Sequence, residues 1–559
     1  MSEKDLLTAF SSPVQQPVTR RQLLRTMATG SLVLSGAAAL ASCGGSSSSS
    51  TAVSVTLTSA DWPFTALPDS AAQAKDPTVK AYAATLNNWL GKNPGVKIKK
   101  GNADSIWDSK TLTTAVTAGT VATWYPSGVL GNWAQQNIRG AFAQGFAADL
   151  TPLIKSYNIE QKLAEYAKEP FHINAINGKY YCFPDDYDPG GHVVTYRRDL
   201  IQQQGLQEPT DDWTWDDLRT LAKGLTAGTR KGTAMQSYGA NWPLQDSLFK
   251  VMNVLPDPKS GWRWHTDYTS RLDDWKRAAT IIRTMRNQDG SILTDTTYGD
   301  GEVAKSFGNE HAAMTFNVVG LFTIGPNDPT SPASLAKRLG KHIDEVVGVA
   351  RHPHGPNGAF ATTRPSVFIA SIDPHLSRNP AALEKAFSLL DYMTFGQGFI
   401  DQKVAAYQAY KDLQMVYTNP MPVNGIIKYP GVPGTPTDAW GQRYIDTIHG
   451  LANSPLIPEK GFYFPAEKNT GPSDTVWSDI QSAIMFSHND IGTLFTHGQQ
   501  VLNQQEASFT SSIADDDFTR SARAYYHALD AFWSKNAPAF YANDFHPWLQ
   551  KYVAPAIGL

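Results

Sequence analysis

Carboxylates, imidazoles and thiols carry most protein chemistry, and in this chain their spacing supports little of it. Asp185, Asp186 and Asp188 crowd three carboxylates into four positions. A calcium loop also needs a glycine at its sharp turn and a distal glutamate. Neither follows here, so the run reads as a solvated loop. His311, His352 and His354 are not at metal-ligand spacing with other supporting residues, and no His-Glu-x-x-His helix or Gly-x-Ser-x-Gly elbow occurs. Cys182, flanked by Tyr181 and Phe183, reads as a small buried hydrophobe rather than a nucleophile. Glycoside hydrolysis needs two carboxylates flanking one bond. With 51 acidic residues such a pair always exists somewhere. An extracytoplasmic carbohydrate-active enzyme, a hydrolase or lyase, is therefore the alternative class, without a motif of its own. No catalytic residue, metal or cofactor is expected.

Cys43 is the exception. Thr19-Arg20-Arg21-Gln22-Leu23-Leu24-Arg25, then an apolar run from Met27 to Ala41, resemble a bacterial twin-arginine export signal. Leu40-Ala41-Ser42-Cys43 resembles a lipobox, whose cysteine is acylated and becomes the new N-terminus. A transmembrane anchor is the competing interpretation. The run is broken by Gly30, Ser31, Ser35 and Gly36, and it falls short of the roughly 20 residues a span needs. The chain is expected at the extracytoplasmic face of the cell membrane, held there by lipid alone.

Without residues 1–43 the balance is 44 basic against 49 acidic residues. That excludes nucleic acid as the obvious partner, which would want a basic face. With Cys43 acylated, Cys182 has no cysteine partner, so the mature chain has no intramolecular disulfide. About 516 residues remain, too many for one ordinary core, and two lobes are the default. No fixed-period repeat points to a scaffold or adhesin.

The elements that would position a site read clearly near the start. Val53, Val55 and Leu57 alternate with polar residues as a strand. Asp76-Pro77 starts a helix, with Val79, Tyr82, Ala83, Leu86 and Leu90 at helical spacing. Asn93-Pro94-Gly95 breaks it, and Val96 to Lys99 alternates again. A short helix through Leu112, Ala115 and Val116 ends at Gly119, and Val121–Tyr125 is a third strand. This β-α-β-α-β order predicts a parallel sheet with right-handed crossovers. Ligands of such sheets sit at the carboxyl ends of the strands. Asp61-Trp62 follows the first strand and Trp124-Tyr125 closes the third, so two aromatic-bearing loops are expected at one sheet edge. Strands are predicted at 180–184 and 193–196, around the acidic run. Thr214-Trp215-Asp216-Asp217-Leu218 is a capping-box-like helix start. Further helical patterns cover about 273–287, 380–395, 474–486 and 518–534, while 419–475 resists assignment.

The order of these pieces resembles the extracellular solute-binding proteins (family 1, maltose-binding-protein-like) of carbohydrate ABC importers. The resemblance runs through Ala143–Ile154 (AQGFAADLTPLI), Asn177–Pro184 (NGKYYCFP), Thr195–Leu200 (TYRRDL), Pro209 with Thr214–Leu218, Phe307–Thr315 (FGNEHAAMT) and Pro380–Phe395. It covers roughly residues 53–515. It implies an α/β fold of two lobes, periplasmic-binding-protein type II-like, with the cleft between discontinuous lobes. The division expected is 1–43 signal, 44–52 serine-rich tether, 53–184 plus 348–370 first lobe, and 185–347 plus 371–559 second lobe. Crossings are expected near Pro184–Asp188, Glu345–Gly348 and Ile369–Asp373. Hinge closure around a solute is the implied motion. A carbohydrate ligand, an oligosaccharide by the chain's length and aromatic count, and ABC permease subunits are the implied partners of a monomer.

Sugars present C–H faces to aromatic rings and hydroxyl rims to planar hydrogen-bonding groups. The resemblance places Asp61, Trp62, Tyr125, Asp188, Trp242 and Trp477 at ligand-binding positions. Of the neighbours Trp124 and Tyr125, which point to opposite faces of a strand, Tyr125 is taken for the site and Trp124 for the core. A surface turn at Pro63 is the alternative for Asp61 and Trp62, and a core position the alternative for Trp242 and Trp477. Two departures stand out. Val319-Gly320-Leu321-Phe322 replaces the family's Gly-x-Trp, so Phe322 is taken as the substitute ring. Arg364 stands where small residues are usual, to fork a carboxylate or phosphate or to form a structural ion pair. Trp262 and Trp264 either extend the platform or fill the second lobe.

Overall fold

The computed structural model describes residues 54–60, 62, 77–102, 106–130, 135–163, 165–172, 174–188, 192–240, 243–244, 254–256, 264–269, 271–318, 331–355, 366–402, 457–458, 473–506 and 515–559. All of them belong to the compact unit Val53–Leu559.

The amino-terminal pattern folds as read. Strand β1 (Val55–Ser59) buries Val55 and Leu57 and pairs in parallel with β2 (Val96–Lys100), Val55 opposite Val96. The helix between them runs Pro77–Lys92, and the next runs Ser109–Ala118. Asp108 caps the latter by accepting from the Thr111 N–H at 2.8 Å. Gly119 ends it in the left-handed region at φ 70°, where a side chain would be strained.

Strand β3 (Trp124–Pro126) departs from the expected all-parallel sheet. It lies beside β1 through Thr123 N–H to Thr58 O at 2.8 Å, but its ladder partner is the antiparallel strand β12 (Ser366–Ile372). Strand β12 pairs on its other side with β4 (Phe183–Asp188), again antiparallel. Asp185, Asp186 and Asp188, expected in a loop, are therefore strand residues. This three-stranded sheet and the β1–β2 pair share one core, in which Leu57, Leu86, Trp124, Phe183 and Phe387 are buried.

A second core lies under a five-stranded sheet of order β11-β5-β10-β6-β9. Its strands are β5 (His192–Arg197), β6 (Lys231–Ala234), β9 (Ile292–Leu293), β10 (Ala312–Val318) and β11 (Val347–Ala350). Strands β6, β9 and β10 are mutually parallel, and β5 runs antiparallel to β10 and β11. Helices Trp215–Leu225, Leu272–Asn287, Ser473–Phe486 and Ile491–Glu506 cover it. A hairpin of β7 (Val254–Pro256) and β8 (Trp264–Thr266) stands apart from that sheet. The helix Asp515–Asn536 and the helical run from Pro538 to Ile557 share a third cluster around Trp533, Phe545 and Trp548.

These cores redraw the expected lobe boundaries. Gly348–Ala350 belongs to the second sheet, because β11 pairs with β5. Ile372 and the helix Pro380–Thr394 belong to the first core, where Trp124 Nε1–H donates to Ala386 O at 3.2 Å. The carboxyl-terminal helices have their own cluster. Of the expected crossings, Pro184–Asp188 lies within β4 of the first sheet. Strand β11 belongs to the second sheet and β12 to the first. Ile369, Ala370 and Ile372 pack in the first core, so this segment is part of the first lobe.

Candidate functional site

The carboxyl ends of β1 and β2 form the edge at which a parallel sheet receives ligands. Trp62 follows β1 and packs half-buried against the first core. Trp107 follows β2, and the two rings meet edge to face, centroids 6.3 Å apart at 79°. Trp107 is 51% exposed. It immediately precedes Asp108, whose carboxylate also accepts from the Thr111 hydroxyl at 2.6 Å. Those hydrogen bonds hold the Asp108 carboxyl below its ordinary value, and the cap fixes the backbone that presents Trp107. An exposed indole on a capped helix start is costly to solvate and well placed to receive an apolar face.

The second lobe presents its counterpart after β6. Tyr238 is 37% exposed in the turn that follows this strand. The turn is held by Gln236 Nε2–H to Phe316 O at 3.0 Å and by Ser237 N–H to Tyr298 O at 2.7 Å. Trp107 and Tyr238 are the two exposed large hydrophobic side chains among the described residues. Each follows the carboxyl end of a parallel strand, one in each lobe.

The sequence-predicted residues divide sharply. Tyr125 is corrected: its ring is fully buried, and its hydroxyl donates to Phe146 O at 2.5 Å. Burial, with the nearby Asp373 charge, pushes its pKa well up. Trp124 is equally buried, so both neighbours are core, and Tyr125 presents no face to a ligand. Trp477 is half-buried on Ser473–Phe486, stacked on Tyr268 at 5.9 Å and edge-on to Trp275 at 5.4 Å. Asp188 ends β4 opposite Ser366. Asp61, Trp242, Phe322 and Arg364 lie outside the described residues, as do Cys43 and Trp262, while Trp264 opens β8. Cys182 is buried, and burial raises its thiol pKa, consistent with a packing role. Among the described residues no group of three or more His, Cys, Asp or Glu is placed to hold a metal ion.

Sequence reasoning missed Trp107 and Tyr238. Trp107 was within reach: it follows β2 as Trp62 follows β1, and the strand-end rule applied to the second strand finds it. Tyr238 was hidden because 231–234 (KGTA) lacks the apolar alternation of a strand.

Solved structures supply the comparison. The GacH receptor of Streptomyces glaucescens GLA.O, described in complex with acarbose, matches with a TM-score of 0.53 at 14% identity, over 82% of this chain and 99% of that one. Maltose-bound MalE3 of T. maritima matches with a TM-score of 0.54 at 17% identity, over 81% and 100%. An ABC transporter solute-binding protein of Agrobacterium vitis S4 with bound D-mannitol matches with a TM-score of 0.53 at 15% identity, over 82% and 99%. At these identities the likeness establishes the two-lobe, periplasmic-binding-protein-like fold. No curated protein matches the sequence. No helix among the described residues is long and apolar enough to cross a membrane. The family model for bacterial extracellular solute-binding proteins matches residues 70–395, more than half of the chain, and the chain belongs to that family.

Proposed function

We propose that this chain is a receptor that binds a carbohydrate or polyol in the cleft between its lobes, closes on it by a hinge motion, and passes it to an ABC permease. The observation that carries the reading is the pairing of exposed aromatic residues with strand ends: Trp107, backed by Trp62, in the first lobe, and Tyr238 in the second. Aromatic faces at the carboxyl edges of two sheets suit the C–H faces of a sugar ring. Acarbose, maltose and D-mannitol in proteins of this fold support the same ligand class. Trp477 adds a partly covered ring. Asp61, Asp188, Trp242, Phe322 and Arg364 complete the proposed ligand-binding set. The length of the chain favours an oligosaccharide. Acylation of Cys43 anchors a monomer to the extracytoplasmic face of the membrane. No covalent chemistry is part of this function.

The test is thermal unfolding of the chain from Gly44 onward against mono- and oligosaccharides, uronates and polyols. A bound ligand at about 100 times its Kd adds roughly 2.7 kcal/mol of stability. A raised Tm with the compound recovered unchanged supports the receptor. Consumption of the compound would instead establish an enzyme, and a flat panel would remove the sugar assignment.

A further inference from the structure

The two-stranded β1–β2 sheet carries a feature that solute binding does not use. Along β2, Val96 faces the core and Ile98 is half-buried, while Lys97, Lys99 and Lys100 are exposed. The register sets Lys97 opposite Thr56 and Lys99 opposite Thr58, so the outer face of the pair is made of threonine and lysine. Among the described strands, β2 has β1 as its one neighbour. From residue 77 to 102 there are five lysines, at 80, 92, 97, 99 and 100, and no acid, in a chain whose acids outnumber its bases. Lys80 and Lys92, on the helix that leads into β2, are exposed as well. Lysine on an edge strand discourages edge-to-edge pairing. That explains charge on the strand, but not the further lysines on the helix or the lack of any acid between them.

The tether is the second observation. Val55, the first residue of β1, lies twelve residues after Cys43. Full extension therefore spans no more than about 40 Å. Val55 pairs with Val96, so the first strand of the compact unit begins beside the lysine strand.

We propose that this lysine face rests on the anionic headgroups of the bilayer that holds the lipid anchor, and so sets how the first lobe is presented at the membrane. The proposal rests on the reading of Cys43 as acylated. Phospholipid phosphates supply the countercharge. Each lysine close to such a surface strengthens partitioning by about fivefold, and screening by salt weakens it.

The experiment is cosedimentation of the chain from Gly44 onward, which holds the whole compact unit and no acyl group, with vesicles. One set contains phosphatidylglycerol in phosphatidylcholine, the other phosphatidylcholine alone. Retention by the anionic vesicles only, weakened at least about 25-fold (about fivefold per lysine) by the double substitution Lys97→Glu, Lys99→Glu, is the expected result. An unchanged melting curve shows that the variant is folded. Equal behaviour on both vesicle types, or binding unaffected by the double substitution, overturns the proposal. The mass of the amino-terminal peptide from membrane-purified full chain separates the two readings. An unmodified Cys43 overturns the anchor, and with it the membrane as occupant. An acylated Cys43 with no anionic selectivity overturns the lysine face alone.

Discussion

Arg197 at the end of β5 donates from Nη1 to Glu310 Oε2 at 2.8 Å, across 113 residues of sequence. The same guanidinium forks Asp199, Nε to Oδ1 at 2.7 Å and Nη2 to Oδ2 at 2.8 Å. Arg197 is 3% exposed and Asp199 nearly as buried, whereas Glu310 is half open to solvent. Glu310 sits at φ 63° in the turn before β10, so the ion pair fastens a strained turn to the neighbouring strand. Removing a buried charge partner leaves the other uncompensated, at a cost of about 3–5 kcal/mol. Arg197→Met is expected to lose about 3 kcal/mol in urea unfolding, and Glu310→Gln less than about 1 kcal/mol. Equal losses for the two would show that the exposed carboxylate, not Asp199, is the partner that matters.

Much of the local structure was legible. Thr214 and Asp217 make the expected capping box, Asp217 Oδ2 accepting from Thr214 N–H at 2.7 Å. The helices at 272–287, 380–394, 473–486 and 515–536 lie where apolar periodicity put them. What could not be read was long-range pairing. Strand β3 meets β12 some 240 residues later, and no local pattern in Trp124-Tyr125-Pro126 announces an antiparallel partner. The same blindness misplaced Tyr125. Alternation puts Trp124 and Tyr125 on opposite faces, but both faces of this short strand are covered, so both rings are core.

Gly348 stands opposite Tyr196 in the β11–β5 ladder, and a Cβ there would come within 2.1 Å of the Tyr196 ring. Gly348→Ala is expected to destabilise by about 1–3 kcal/mol through overpacking. Tyr196→Ala should relieve part of that penalty in the double variant, measured as non-additive changes in urea midpoint. Additive losses would show that the ring is not what the methyl group meets.

Arg219 Nε–H donates to Asp289 at 2.6 Å, and that bond chiefly holds the Asp289 carboxyl below its ordinary value. Because the folded pKa is the lower one, the unfolded chain takes up the proton first. Stability from this pair is full above the ordinary carboxylate value near pH 4 and is lost as pH falls through the lowered value. Urea unfolding between pH 7 and pH 2.5 should therefore show a smaller acid loss for Asp289→Asn than for the unsubstituted chain. An identical acid profile would contradict the assignment.

Trp124 and Trp107 separate stability from binding. Trp124→Ala removes a buried ring and should lower stability by about 3–5 kcal/mol. Trp107→Ala removes an exposed one and should change stability by no more than about 0.5 kcal/mol. Paired thermal melts decide it, and a large loss at Trp107 would mark that residue as structural.

The most direct test of the receptor assignment is calorimetric titration of the stabilising compound from the thermal panel into the unsubstituted chain, Trp107→Ala and Tyr238→Ala. A solute held between aromatic groups of both lobes should bind each variant at least tenfold more weakly, a change of about 1.4 kcal/mol or more, with the fold unchanged. Unaltered affinity in both variants would contradict the site and place the ligand elsewhere on the molecule.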